Sequence, residues 1–484
     1  MKRSKFLFLD WRNIRCGRLQ WYSQTGEPFG VANPVEPPVS MHAKAECVPY
    51  GIRLQAQRAE TTGPVTGWKG WGRTIYDGEL FRSWYFEVNG HTKLGTGAAA
   101  HTTGYDEVYI CGAASNDGYD WREDSRSRIE IGSQRDFDGV TFFIDPVAPA
   151  EDRYKLVYCA AFPAGEHDDM VRTYLDRPAH ERDSRLTWQR RSGLFVATSP
   201  DGEAWTSDNT PFALHPSDTD TTVLWDETLE SYVMYTRLFR DDRRWIGRGE
   251  TRDFQNWGPI RPVMWPPLDA PPDRDLYLNG YSRYPGALEY QIMFPMIYHR
   301  LTERSDVRLA SSSDGVAWQW VPGDSVIRPG NAESWDSEFI GSGKDLVPFG
   351  TGKIATPYCG TAYPHKYPRF ANVWDAWNLG WAIWPEDRLC GLVADEVGEF
   401  WTRELSPGGR ELRINCRVPM GGEIRIGVAG VDGRDADSCD PIVGCDGTTT
   451  VTWGGRSDVG SAEDSAVALH VCLRRAEVFS LELC

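Results

Sequence analysis

The sequence predicts an all-β fold, a five-bladed β-propeller followed by a C-terminal β-sandwich. Three observations carry that expectation: a turn motif that returns along the chain, an aromatic-rich apolar strand ahead of each copy, and a change to long alternating strands near the C-terminus. The motif first occurs as "GAASNDGYDW", ending at Trp121, then as "VATSPDGEAW" ending at Trp205 and "LASSSDGVAW" ending at Trp318. A fourth version, "GRGETRDFQNW", keeps Asp253 and Trp257 but has Phe254 in the glycine position, and a weaker echo, "GLVADEVGEFW", ends at Trp401. The tryptophans are separated by 84, 52, 61 and 83 residues, too irregular for a solenoid and suited to propeller blades with loop insertions. Asp-Gly supplies the positive φ of a tight turn, and the following Trp can cover a blade edge or the gap to the next blade, so these residues read as structural.

The strands ahead of the copies are "FRSWYFEV", "YKLVYCAAF", "SYVMYTRLF", "YQIMFPMIY" and "KIATPYCGTAY", and they read as second strands. Each follows another apolar run and a turn, as in "GVTFFIDPVAPAEDR" and "TTVLWDETLE", and those earlier runs read as innermost strands. Past about Ser406, "GGRELRINCRVPMGGEIRIGVAGVDG" and "AVALHVCLRRAEVFSLELC" alternate apolar and polar residues, the pattern of sheets with one wetted face. The expected division is therefore a propeller with an N-terminal strand over 1–406 and a sandwich over 407–484, with short strands and loops between Asp432 and Gly460.

Composition narrows the function. A chain of 484 residues has room for a large repeat domain and a smaller one. With 21 Trp, 48 Gly and 31 Pro it favours many short strands joined by turns. The formal charge of -17 repels phosphate backbones and anionic bilayers, which argues against nucleic-acid and membrane partners and for a small neutral carbohydrate. In "MKRSKFLFLDW" the apolar run is only Phe6 to Leu9, too short for a signal peptide or a membrane span, and it reads as a first strand. Eleven cysteines with no CxxC pair point to reduced thiols and a cytoplasmic location, and a homo-oligomer is compatible with the sequence.

Innermost propeller strands run along a central channel, so residues at their starts converge although they are far apart in sequence. The starts carry "GWKGW" in the first unit, Asp136 and Asp138 in the second, Asp218 and Asp220 in the third, Asp273, Asp275 and Asn279 in the fourth, and Trp335, Asp336 and Glu338 in the fifth. A ring of acids at one channel mouth is electrostatically costly unless it binds or transforms something. Its natural chemistry is glycoside cleavage, in which one acid protonates the leaving oxygen while another attacks the sugar or activates water. Asp138, Asp220, Asp336 and Glu338 are the candidate catalytic acids; Asp220 and Glu338 are preferred, and Asp336 competes closely with Glu338. Asp77, Asp145 and Asp226 lie at the opposite ends of the inner strands and read as turn residues.

Candidate substrate contacts are Trp68, Trp71, Tyr277 and Tyr284 as sugar platforms and Trp335 as a stacking wall, with Asp218, Asp275 and Asn279 at the mouth. Arg237, Arg283, His215 and His365 are candidates for hydroxyls or an anionic group. Nine histidines without an HxH or HExxH pattern predict no metal site, and the absence of a phosphate-binding glycine loop or a GxSxG elbow predicts no cofactor and no serine nucleophile.

With its "ASNDGYDW", "TSPDGEAW" and "SSSDGVAW" turns and a trailing sandwich, the chain resembles the five-bladed propeller glycoside hydrolases, which include invertases, levanases, arabinanases, xylosidases and mannoside phosphorylases. It is most similar to bacterial invertase-like proteins, in which "DRYKLVY", "TVLWDETLESYVMYTR", "WDS" and "AEVFSLEL" have counterparts. The resemblance implies hydrolysis of a small oligosaccharide or glycoside, furanosidic ones included. It departs from the invertases at their nucleophile motif, Trp-Met-Asn-Asp-Pro-Asn-Gly, where this chain has "GWKGWGRTIYDG". Their Arg-Asp-Pro motif survives only as "FIDP" in another register, and Glu46-Cys47 lies far from the place of their Glu-Cys acid. Two alternatives share the same pocket: a phosphorylase holding phosphate through Arg283, His299, Lys344 or His365, and a non-catalytic sugar-binding propeller.

Overall fold

A computed structural model of the chain describes residues 4–22, 28–29, 42–69, 72–89, 92–93, 102–104, 107–130, 137–219, 221–267, 270–365, 377–406, 409–462 and 465–484. The fold is nearly all β, and Asp168–Leu175 is the one α-helix among the described residues. None of them forms a helix long and apolar enough to cross a membrane. The chain divides into two compact units, one of Arg58–Trp320 with Asp324–Pro385, the other of Met1–Gln57, Val321–Gly323 and Glu386–Cys484.

Among the described residues the larger unit contains seven antiparallel sheets, of which five, each with four or more strands, follow one another in chain order. The first runs Arg73–Tyr76, Phe81–Asn89, Glu107–Ser115, Arg122–Ile129, and the second Asp138–Ile144, Tyr154–Ala161, Ser192–Ser199, Thr206–Ser207. The third is Thr222–Asp226, Ser231–Arg240, Arg243–Thr251, Arg261–Met264. The fourth is Tyr281–Tyr284, Ala287–Met293, Ala310–Ser312, Gln319–Trp320, accompanied by a three-stranded sheet of Arg274–Leu276, Met296–His299 and Arg304–Val307. In the fifth, Phe339–Ser342, Lys353–Thr361 and Asn378–Pro385 are completed by Glu60–Thr61 from the beginning of the unit. The first strands of the first four sheets contribute to the wall of one cavity of about 480 Å³, through Arg73, Thr141, Thr222 and Arg283, and the fifth sheet adds Val347 from the short strand Val347–Pro348, which pairs with Lys353–Thr361.

The recurring motif works as a clasp. In three copies a serine hydroxyl (Ser115, Ser199, Ser312) accepts the glycine N–H at 2.9 Å, and the aspartate carboxylate accepts the two N–H groups that follow the glycine. In the fourth version Asp253 likewise accepts from the N–H groups of Gln255 and Asn256, and such backbone donors, chiefly the N–H groups of Asp120, Glu203 and Asn256, hold Asp117, Asp201 and Asp253 below the ordinary carboxylate range. Each turn also packs on the preceding sheet. A Cβ on Gly118 would lie 2.7 Å from the Phe349 ring, and one on Gly315 would lie 2.7 Å from the Tyr235 hydroxyl. Gly202 sits against Trp84, and Phe254 stacks on Phe143. The contacts thus run from the second, third and fourth sheets to the one before each, and from the first sheet to the fifth. The hydroxyl of Tyr235 donates to the Gly315 carbonyl at 2.7 Å and the indole of Trp381 donates to the Gly118 carbonyl at 2.8 Å.

Phe254 adopts φ +62° in the position glycine holds elsewhere, a conformation that costs a bulky residue about 1–3 kcal/mol. Its ring, 8% exposed among Phe143, Phe212, Tyr232 and Trp257, more than offsets this, since deleting a buried Phe side chain costs about 3–5 kcal/mol. Phe254→Gly is therefore expected to destabilise the protein by about 2 kcal/mol in chemical denaturation despite matching the motif. A gain in stability would mean that backbone strain outweighs the packing.

Two expectations are corrected in the smaller unit. The N-terminal strand does not accompany the five sheets: Ser4–Leu7 pairs with the last strand, Leu469–Leu483, from Ser4 opposite Leu483 to Leu7 opposite Ser480. Trp401 does not end a turn either, because Cys390–Trp401 is a continuous strand of this unit, paired with Leu469–Leu483 and with Arg53–Ala56. The division consequently falls at Pro385–Glu386 rather than near Pro407, which lies outside the described residues. Leu469–Leu483 is the hub of the unit, pairing also with Leu412–Arg417 and Glu423–Val428, and buries Leu469, Val471 and Leu473 in alternation.

Candidate functional site

The loop ahead of Thr222–Asp226 is held from within. Thr221 donates to Ser217 at 3.1 Å and shares a 2.8 Å hydrogen bond with Thr236, while the carbonyls of Ser217 and Thr219 lie so close to Gly139 that a Cβ there would meet both within 3.0 Å. This fixes Asp218. Its side chain is 51% exposed, and its Oδ1 accepts from Arg237 Nη1 at 2.7 Å and from Arg185 Nη1 at 3.1 Å. Crowding by protein atoms pushes the Asp218 carboxyl up, but Arg237 and then Arg185 outweigh it and hold the group well below the usual carboxylate range.

Arg237 is 3% exposed on the second strand of its sheet. Its Nη2 donates to the Tyr277 carbonyl at 2.9 Å, its guanidinium lies 4.0 Å from the Tyr277 ring centroid, and its buried Nε has no hydrogen-bond partner among the described residues. Its carbonyl is 2.5 Å from Nε2 of His215, whose pKa burial lowers. The Tyr277 hydroxyl is 2.9 Å from Nε2 of His365. The backbone N–H of His365 donates to the Glu303 carbonyl at 2.9 Å. Glu303 sits at the turn between Met296–His299 and Arg304–Val307 with φ +57°, and its Oε2 is buried with no partner among the described residues. Burial, and then the charge of Glu303, pushes the neighbouring Tyr298 phenol upward.

Of the residues chosen from sequence, Asp218, Arg237, Tyr277 and His365 therefore form one connected group. Asp138 begins its strand exposed, accepts from the Gly139 N–H at 2.8 Å, and adjoins the loop of Asp218 through that glycine. Asp220 and Trp71 lie outside the described residues.

The remaining choices are engaged elsewhere. Asp275 is fully buried and paired with Arg244 at 2.6 Å and Arg300 at 3.3 Å. Asp336 is 2% exposed and accepts from the hydroxyls of Tyr358, at 3.0 Å, and Ser334. Both oxygens of Glu338 bind the Arg304 guanidinium. Trp335 packs on Tyr358, with ring centroids 5.4 Å apart. Trp68 is 5% exposed between Trp121 and Trp381, so it is packing rather than a sugar platform. Asn279, 2% exposed, accepts from Thr222 and from the Tyr281 N–H. Arg283 pairs with Asp226 at 2.7 Å, towards the other end of the inner strand, and His299 pairs with Asp306 at 2.7 Å. Reading only the starts of inner strands missed Arg185 and Glu303, because both lie in connections between strands.

No family model matches the chain, and no curated protein matches it. Among solved structures, one titled "Glycoside hydrolase" is similar at 16% identity with a TM-score of 0.43, covering 69% of this chain and 92% of that one. The catalytic domain of a Coprinopsis cinerea GH62 alpha-L-arabinofuranosidase is similar at 13% identity and a TM-score of 0.40, covering 68% and 97%. An N-acetylgalactosamine deacetylase from F. plautii is similar at 14% identity and a TM-score of 0.41, covering 69% and 96%. Likeness at this level assigns the chain to no family.

Proposed function

We propose that the larger unit is a five-bladed propeller that hydrolyses a glycosidic bond in a small carbohydrate, with Asp218 as the ionised carboxylate and Glu303 as the proton donor. The observation that carries this reading is the half-exposed Asp218 gripped by two arginines. Glycoside cleavage needs two carboxyl groups in unlike surroundings, one that stays charged against the developing oxocarbenium ion and one that delivers a proton to the leaving oxygen. Asp218 is gripped by two arginines, whereas Glu303 has a buried oxygen without a partner among the described residues, beside an aromatic phenol. Tyr277 connects the two through Arg237 and His365. A neutral sugar suits a chain of charge -17.

The Nε of Arg237, without a partner among the described residues, favours one further reading, a phosphorylase in which this arginine meets the incoming phosphate. A panel of aryl glycosides and natural disaccharides, assayed with and without inorganic phosphate, separates the two, and the hydrolase reading expects turnover without it. Glu303→Gln is expected to slow cleavage of poor leaving groups by about 10²-fold or more and to spare activated aryl glycosides. Tight sugar binding with no turnover across the panel would replace the enzyme with a binding protein.

A further inference from the structure

We propose that the smaller unit binds a zinc ion through Glu399, His470 and Cys472. Within its sheet, Glu399 stands opposite Cys472 and Trp401 opposite His470. Successive side chains alternate between faces, so His470 and Cys472 share a face, and the register adds Glu399 and Trp401 to it. The donor atoms all lie within 4.8 Å of one another, with His470 Nε2 at 3.2 Å from Glu399 Oε2 and 3.5 Å from Cys472 Sγ. Tetrahedral zinc, with bonds of about 2.3 Å to sulfur and about 2.0 Å to nitrogen and oxygen, separates sulfur from nitrogen by about 3.5 Å and nitrogen from oxygen by about 3.3 Å. The two spacings coincide with those of the side chains.

Hydrogen bonding alone leaves the arrangement half satisfied, because one ring nitrogen faces two groups. Protonated, Nε2 donates to Glu399 and presents its N–H to the thiol; unprotonated, it accepts from the thiol and turns its lone pair on the carboxylate. A cation takes all three lone pairs, and its binding releases the thiol proton to solvent. The Trp401 ring lies parallel to the imidazole, with centroids 4.2 Å apart and planes 4° apart, and fixes its orientation. His470 is 22% and Glu399 33% exposed, which leaves an entry path and room for water as a fourth ligand. Arg425, opposite Cys472 on the neighbouring strand, directs its guanidinium to Glu423 at 2.5 Å and to the Cys439 carbonyl at 2.7 Å. Thiolate, imidazole and carboxylate together select zinc over magnesium or calcium.

The test uses the full chain stripped with a chelator and titrated with Co²⁺, then with Zn²⁺. One equivalent of Co²⁺ is expected to raise a thiolate-to-cobalt absorption band that Zn²⁺ abolishes. Cys472→Ser is expected to remove the band, and Glu399→Gln, on the exposed rim, to weaken Zn²⁺ binding about tenfold or more. Circular dichroism of each variant verifies that the strands persist. The proposal falls if the intact protein raises no band, or if the folded Cys472→Ser variant keeps both the band and the affinity, since another of the eleven cysteines would then be the ligand.

Discussion

Asp218→Asn is expected to lower glycoside turnover by about a thousandfold or more while leaving the chain folded. Asparagine keeps an oxygen to accept from Arg185 and Arg237 and removes only the charge, which is what the proposed chemistry needs. Were Asp218 merely an anchor for the two arginines, the variant would melt at a lower temperature, yet turnover per folded molecule would stay near that of the wild type. Measuring both separates the roles. The pH profile adds a second readout. The two guanidiniums lower the Asp218 pKa in the folded protein, so its contribution to stability is complete above the ordinary aspartate value of 3.8 and is lost only as pH falls through the lower folded value. Turnover lost on acidification above that range must then report other groups. Asp218→Asn should accordingly depress the rate at every pH rather than move the acid limb of the profile.

What the sequence conveyed about this fold came through local geometry. Ser-x-Asp-Gly-x-x-Trp specifies a turn within seven residues and occurs three times, and a fourth turn of the same kind has Thr251 in place of the serine and Phe254 forced into the glycine conformation. The fifth copy failed because "GEFW" obeys a different rule: Glu399 and Trp401 alternate along a strand, and the partner that makes them so, Leu469–Leu483, is far away in the chain. The candidate site shows the same divide. That acids stand at the starts of inner strands is legible in the sequence, but their surroundings depend on arginines arriving from other strands and connections. Arg244 and Arg300 neutralise Asp275, and Arg304 occupies Glu338, whereas Arg237 and Arg185 leave Asp218 half exposed. Nothing within a few residues of these acids distinguishes the three outcomes. Likewise His470-x-Cys472 is visible in the sequence, but Glu399, 71 residues before His470, joins it only through strand register.

Trp381→Ala is expected to cost about 3–5 kcal/mol, enough to consume much of the stability of a typical domain. Trp381 belongs to Asn378–Pro385, the third strand of the fifth sheet, and is fully buried. Its ring stacks on Trp68 with centroids 4.6 Å apart and packs on Phe81 of the first sheet at 5.8 Å and on Phe349 at 4.9 Å. Its indole N–H reaches the Gly118 carbonyl, which also accepts from Trp121 at 2.9 Å, so the first and fifth sheets meet on one backbone oxygen. Trp381→Phe keeps most of the buried area, and because Trp121 still satisfies that oxygen, losing the hydrogen bond should cost only about 1 kcal/mol. Trp188, 41% exposed, provides the control: its replacement by alanine should change the denaturation midpoint little. The decisive comparison is cooperativity. If the contact between the first and fifth sheets closes a cycle with the other three clasps and with the hydrogen bonds from Leu346 N–H to Ser282 and from the Ser342 hydroxyl to the Phe294 carbonyl that join the fourth and fifth sheets, its loss weakens every sheet, and the larger unit should unfold earlier in a single transition. If instead only the fifth sheet detaches, amide exchange will accelerate there alone, and the other four sheets will keep their protection without closure.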